Sequence, residues 1–297
     1  MKDNRKYWES SNENISIETR RILNEYFLSL KLANKAEATI TKYRRILEKF
    51  LCECLVPLES LTSEDVLKWL TEFAEDKKER TVDLYLSCLS SFFQFCLSED
   101  YMENMVIKKR WRPKISQTLP KYLTEEEYAR VRLAAESLSV RDRAIILFLF
   151  SSGCRRGEVC NLSIADITLK KRTAKVIGKG KKVRYIHFSI MCAIVLKEYL
   201  QTRDCEETAP LFMNRFGKPL GPGGILKIIN DLGKKAGLNQ SLHPHVCRHT
   251  FATNMLARGA DLAFIADEMG HADLNTTRIY ARIPTEDMII AYQNKMG

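Results

Sequence analysis

Within "LHPHVCRHTFATNML", residues 242–256, three side chains able to grip an anion stand within one helical turn: His245, Arg248 and His249. Positions three and four apart share one face of a helix. Pro244 suits a first helical turn, where its missing N–H has no partner to lose. The remainder, with Phe251, Ala252, Met255 and Leu256, is apolar. The polar cluster therefore falls at a helix N-terminus, where unpaired N–H groups and the helix dipole already favour negative charge. A phosphate fits that place. So does the plainer reading of a pair of histidines capping a helix.

Three further stretches hold groups that would complete such a site. In "SSGCRRGEVCNL", Gly153 closes an apolar helix and Arg155, Arg156 and Glu158 open the next; alone, an arginine and a glutamate three apart make an ordinary surface pair. In "IGKGKK", Lys179 stands between Gly178 and Gly180 at a hairpin tip. That stretch is too short for a phosphate-cradling loop and lacks its Ser or Thr. In "EMGHADLNTTRIYARI", Gly270 closes a helix, His271 follows in the turn, and Tyr280 sits on the next short helix. A lone tyrosine there is ordinarily a core residue with a surface hydroxyl. Together, two arginines, a lysine, two histidines and a tyrosine form a set able to attack a phosphodiester without a metal.

In order and separation, Arg155, Lys179, His245, Arg248, His271 and Tyr280 resemble the Arg…Lys…His-x-x-Arg…His…Tyr pattern of the tyrosine recombinases, the phage integrase family. "HPHVCRHTFATNMLARGADL" and "MGHADLNTTRIYARI" are similar to the Xer-type resolvases and their transposon-borne relatives, and the likeness spans nearly the whole chain. It implies that Tyr280 attacks the scissile phosphorus, leaving a 3′-phosphotyrosine and a free 5′-hydroxyl, and that His245 takes the phenolic proton. Arg155 and Arg248 would clamp the non-bridging oxygens, with His271 as a further donor. Lys179 would protonate the leaving oxygen, and Glu158 would orient an arginine from behind. The resemblance implies no metal and no other cofactor. Two departures stand out. Arg156 and Gly157 occupy positions where the family more often has a small or aliphatic residue followed by a small one, so Arg156 is a candidate DNA contact. The arm-binding domain of the larger phage integrases has no counterpart, which argues against that subgroup. A catalytically inactive DNA-binding regulator on the same fold and a type IB topoisomerase-like strand passage are the alternatives. Integration, excision, chromosome-dimer resolution and transposition stay open.

These groups need elements to hold them. From Ile17 to Arg112 the chain reads as amphipathic helices. In "ATITKYRRILEKFLCECL", Ile40, Tyr43, Leu47, Phe50, Leu51 and Cys54 follow the helical period. Lys42, Arg45 and Lys49 line the opposite face, a candidate DNA contact or a solvated helix face, with Thr39 and Arg80 as further candidates. Pro113 and Pro120 bracket a basic stretch without apolar period, a linker. A helix then opens at Thr124 and Glu127 with capping-box spacing, Leu123 and Tyr128 forming its hydrophobic staple. "ITLKKRTAKVIGKGKKVRYIHFS" reads as a small antiparallel sheet.

The expected fold is mainly α. An N-terminal helical core-binding (SAM-like) domain, residues 17–112, precedes a mostly helical catalytic domain, 121–283, with a small antiparallel three-stranded sheet. A loose N-terminal tail (1–16), the linker (113–120) and a C-terminal tail (284–297) complete it. By the resemblance, Met288, Ile289 and Ile290 of that tail would dock into a neighbouring protomer. The expected partner is double-stranded DNA with inverted-repeat sites, bound by a homo-tetramer or by a tetramer with a sister recombinase.

The bulk properties permit this. A chain of 297 residues is long enough for two cored domains, and a net charge of +10 suits a polyanionic partner. The longest apolar run, Ala144 to Phe150, is too short to cross a bilayer. With no apolar stretch near the N-terminus to serve as an export signal, the expected location is cytoplasmic, with no membrane partner. Nine cysteines without a C-x-x-C pair are expected as reduced core residues. A zinc site on His245, Cys247 and His249 would lack the usual ligand spacing, so no metal is expected.

Overall fold

The computed structural model describes residues 6–116, 119–178, 182–203, 206–271 and 273–282, so Lys179 and the tail 284–297 lie outside it. The chain divides into two compact units, Met1–Gln117 and Thr118–Gly297. No described helix is long and apolar enough to cross a membrane.

Four helices build the first unit: α1 (Ile17–Leu32), α2 (Glu37–Glu53), α3 (Ser63–Ala74) and α4 (Glu79–Ser98). Each turns one apolar stripe inward. Leu23 and Phe27 of α1, Ile40, Leu47 and Phe50 of α2, and Leu86, Leu89, Phe92 and Phe93 of α4 are fully buried. The Ser16 hydroxyl caps α1, and a reciprocal Thr62–Asp65 box opens α3. Residues 6–16 depart from the loose tail expected of them. Ser10 donates its N–H to Asn24 and its hydroxyl to Glu48, both at 2.6 Å, and Arg44 donates to the Glu9 carbonyl at 2.8 Å. Ile15 is buried, and the Lys31 ammonium lies 3.2 Å from the centre of the Trp8 ring. Two apolar anchors in a polar stretch suffice to pin it.

The second unit opens with α5 (Glu125–Ala135), whose Thr124–Glu127 capping box is closed in both directions. Next comes α6 (Val140–Ser152), apolar on nearly every side, as a helix at the centre of a core must be. Around it pack α8 (Ile190–Gln201), α9 (Pro222–Lys235) and α10 (Pro244–Ala257). Between α6 and α8 run the short α7 (Arg156–Cys160) and strands β1 (Ile167–Thr168), β2 (Thr173–Ile177) and β3 (Val183–His187). The three strands form one antiparallel sheet in chain order, with Val176 opposite Arg184. The period of two turns Ala174, Val176 and Ile186 into the core. The Gly178 N–H donates to the Lys182 carbonyl at 2.8 Å and closes the hairpin. The described residues end in α11 (Leu262–Met269), α12 (Asn275–Arg278) and a 3₁₀ turn, Tyr280–Arg282. The mainly helical architecture with a small three-stranded sheet is the one expected.

Candidate active site

Arg248 lies on the second turn of α10 and is only 4% exposed. Its guanidinium donates to the carbonyls of Gly153 and Met269. Both carbonyls belong to helix C-terminal ends, those of α6 and α11, where the dipole is negative and carbonyls lack helical partners. Burial, and then the neighbouring Arg155, lower its pKa to about 10, so it keeps its charge at neutral pH. Gly153 can end α6 there because it adopts φ +61° and has no side chain. A Cβ at that position would stand 2.4 Å from the Phe251 ring of α10.

Arg155, half-exposed at the start of α7, donates from Nη2 to the carbonyl of Gly270 at 3.1 Å. Consecutive carbonyls, 269 and 270, thus hold the two guanidinium groups. Glu158 fixes Arg155 from below, accepting from its backbone N–H at 2.8 Å and from Nη1 at 3.0 Å. The carboxylate also accepts a bidentate pair from Arg184 of β3, both bonds 2.9 Å, while Arg184 Nε reaches the Glu268 carbonyl at 3.1 Å. Burial alone would raise the Glu158 pKa, but the bonds from Arg184 and Arg155 hold it below the usual carboxylate range.

His271 follows Gly270 directly and shares a 2.7 Å hydrogen bond between Nδ1 and the buried Thr277 hydroxyl. Burial, then Arg248, Arg155 and Arg184, lower its pKa to about 4. Tyr280 is buried, its hydroxyl 2.7 Å from Nδ1 of His249. Burial raises the phenol to about 12, against a pull downwards from Arg248. The ring against the phenol is thus that of His249, while His245 stands exposed on the first turn of α10. Partial burial and the neighbouring Arg248, Arg156 and Arg155 lower the His245 pKa. The helix-capping explanation for this cluster does not hold, because His243 is the N-cap and its side chain makes no capping bond.

Of the expected site, the structure gathers Arg155, Glu158, Arg248, His271 and Tyr280 around α7, α10 and the end of α11, with His245 at the rim. Lys179 lies outside the described residues. Arg156 begins α7, half-exposed. In the first unit, Lys42 and Arg45 border a groove shared with Leu84 and Tyr85 of α4. Lys49 instead pairs with Glu53 at 2.6 Å. Arg80 is exposed near the start of α4, and Thr39 half-buried near the start of α2. Sequence reasoning passed over Arg184, although strand alternation puts it on the same face as buried Ile186. It also passed over Thr277, and over Glu268, whose buried carboxylate accepts the His187 N–H at 3.0 Å. Arg184 and Glu268 meet partners distant in the chain, whereas Thr277 meets His271 six residues before it.

Comparison with known proteins gives the family. Residues 121–286 match the model of the phage integrase family, and residues 23–100 match the phage integrase N-terminal SAM-like domain. The chain is 36% identical over 274 residues to the tyrosine recombinase XerA of Pyrococcus horikoshii, covering 90% of each. It is 33% identical to the tyrosine recombinase XerC of Bacillus subtilis, covering 88% of this chain and 91% of the relative. Two solved structures share the fold: XerH bound to a palindromic difH substrate (TM-score 0.77, 22% identity, 97% of this chain and 92% of that one) and a lambda integrase dimer bound to a COC′ core site (TM-score 0.72, 21% identity, 88% and 94%). The chain belongs to the phage integrase family and is a tyrosine recombinase of the Xer type.

Proposed function

We propose that Tyr280 is the nucleophile of a DNA strand transfer carried out around the end of α11. Its oxygen attacks the scissile phosphorus and gives a 3′-phosphotyrosine and a free 5′-hydroxyl. Arg155 and Arg248 clamp the non-bridging oxygens, where charge gathers in the pentacoordinate transition state, because guanidinium bonds phosphate bidentately and stays charged. His271 adds a donor to the same oxygens, Lys179 protonates the leaving oxygen, and His245 stands at the rim of the phosphate pocket. One such donor contributes roughly 10²–10³-fold, so several together can stand in for a divalent ion. The phosphotyrosine keeps the energy of the broken linkage, and the 5′-hydroxyl of a partner strand reseals it without ATP. The observation that carries this reading is that one helix end, through the carbonyls of Met269 and Gly270, holds both guanidinium groups beside His271.

The partner is duplex DNA with inverted-repeat sites, a reading supported by the difH and core-site complexes of XerH and lambda integrase. Residues 17–112 grip the duplex through Lys42 and Arg45, with Thr39, Lys49, Arg80 and, from the catalytic domain 121–283, Arg156 as further contacts. Four protomers, all alike or shared with a sister recombinase, act together in the cytoplasm. Each passes Met288, Ile289 and Ile290 to a neighbour, whose receptor is the apolar pocket lined by Leu147, Phe150, Met191, Phe251, Met255 and Phe264. The test is covalent capture on fragmented genomic DNA. Tyr280→Phe loses the denaturation-resistant protein–DNA adduct while duplex affinity, steeply salt-dependent, stays within about twofold of the unmutated chain. An adduct that persists in this variant assigns the nucleophile elsewhere. An unmutated chain that binds duplex and never forms an adduct is the inactive regulator.

A further inference from the structure

Among the described residues the Tyr280 hydroxyl has one hydrogen-bond partner, Nδ1 of His249 at 2.7 Å. The two rings lie 5.7 Å apart, centre to centre, and Tyr280 is 1% exposed. His245, to which the family resemblance gives the proton, stands one turn earlier on α10, its ring 6.4 Å from that of His249 and without a bond to the phenol. We propose that His249 is a catalytic residue of this chain: its Nδ1 takes the Tyr280 proton as the oxygen attacks phosphorus and returns it when the strand is rejoined. This rests on the assignment of Tyr280 as nucleophile.

The step balances without a co-reactant. The Tyr280 O–H bond breaks and its proton passes to a neutral imidazole. The Oη–P bond forms, the P–O5′ bond breaks, and the leaving oxygen takes a proton from the acid assigned above to Lys179. In the reverse step the imidazolium protonates Oη as the P–Oη bond breaks. The role requires the tautomer with hydrogen on Nε2, which leaves the Nδ1 lone pair facing the phenol.

The groups that bear on His249 are His245 and Arg248 on its own helix, His243 just before it and Tyr280 across from it. Burial, then His245, Arg248 and His243, lower its pKa to about 4, so the ring is neutral and free to accept at neutral pH. With the phenol near 12, transfer cannot run to completion before attack. It becomes part of attack, as bonding to phosphorus makes the phenolic proton far more acidic. Arg248, whose charge disfavours the imidazolium, would then be engaged by phosphate charge. The proton and the phosphate therefore assist one another.

The experiment is single-turnover cleavage of a nicked duplex bearing the sequence captured covalently by the full-length unmutated chain. His249→Asn keeps a polar group near the Nδ1 position and has no basic lone pair. Duplex affinity is expected to hold, while adduct forms about 10²-fold more slowly. A more acidic phenol, 3-fluorotyrosine at position 280, should restore about tenfold in His249→Asn and change the unmutated chain less than about twofold. Cleavage by His249→Asn at the unmutated rate overturns the proposal, as does sensitivity to phenol acidity that appears in His245→Asn instead. Should His249→Asn fail to melt like the unmutated chain, His249→Gln is the second variant: with native melting, an adduct slowed about 10²-fold and partly restored by 3-fluorotyrosine supports the assignment, and the unmutated rate overturns it. Adduct retained by Tyr280→Phe would instead refute the parent reading, and it is scored before any histidine variant is made.

Discussion

Among its described residues the first unit buries a single polar side chain, Ser10, whereas the second buries Ser152, Glu158, Arg248, Thr250, Thr253, Glu268 and Thr277. The first unit is held by aromatic and aliphatic packing, such as the Phe50 and Trp69 rings meeting edge to face at 4.9 Å. Its cations, Lys42, Arg45 and Arg80, stay in water. The second unit takes an arginine and two glutamates out of water and satisfies them with helix-end carbonyls, a strand N–H and the guanidinium groups of Arg184 and Arg155. A surface that only holds a polyanion needs charge alone. A site that stabilises charge at one phosphorus needs its donors immobile, and immobility comes from burial with every partner in place.

The contrast can be broken from both sides. Phe50→Ala should cost about 4 kcal/mol, the range for emptying a buried aromatic position, and hydrogen exchange should show it first in amides of α2 and α4. Equal loss at α10 would mean the division into two cores is wrong. Glu158→Ala leaves Arg184 and Arg155 facing an unfilled buried position and should cost about 3 kcal/mol, read at α7, β3 and α11. A loss within about 0.5 kcal/mol would show those guanidinium groups finding water instead.

The smallest effect is a selective one. All five histidines lie beyond residue 186, in the second unit. His249 and His271 are depressed to about 4 in the fold, so between that value and the ordinary histidine range the unfolded chain binds more protons than the folded one. Stability of the second unit therefore falls as pH drops from about 6.5 towards 4. In the first unit the shifted carboxylates, Glu53 and Asp65, are lowered, and their contribution is lost only at more acid pH. Between pH 7 and 5, protection relative to the intrinsic exchange rate should fall at α10 and α11 and stay flat at α2 and α4. Equal loss of protection in both units would contradict this.

Much of the site was legible because its members carry motif order. Arg155, Arg248, His271 and Tyr280 each sit beside a glycine or within a helical turn that betrays the local structure. What was illegible depends on distant pairs. Nothing near Glu158 announces Arg184, since their meeting requires β3 to pair with β2 first. His245 and His249 differ by one turn of the same helix, and spacing alone cannot say which of them meets a phenol supplied some thirty residues later. Likewise Trp8 and Ile15 are two apolar residues in a polar stretch, too few to set a period, yet they anchor residues 6–16.

Because adjacent peptide carbonyls catch Arg248 and Arg155, covalent geometry acts as a gauge for their separation: neighbouring α-carbons stand about 3.8 Å apart however the surroundings drift. Repacking of aliphatic neighbours would leave that spacing untouched, whereas inserting or deleting one residue between Glu268 and His271 would put the two grips out of step. Length, rather than composition, is what this corner of the sequence must preserve.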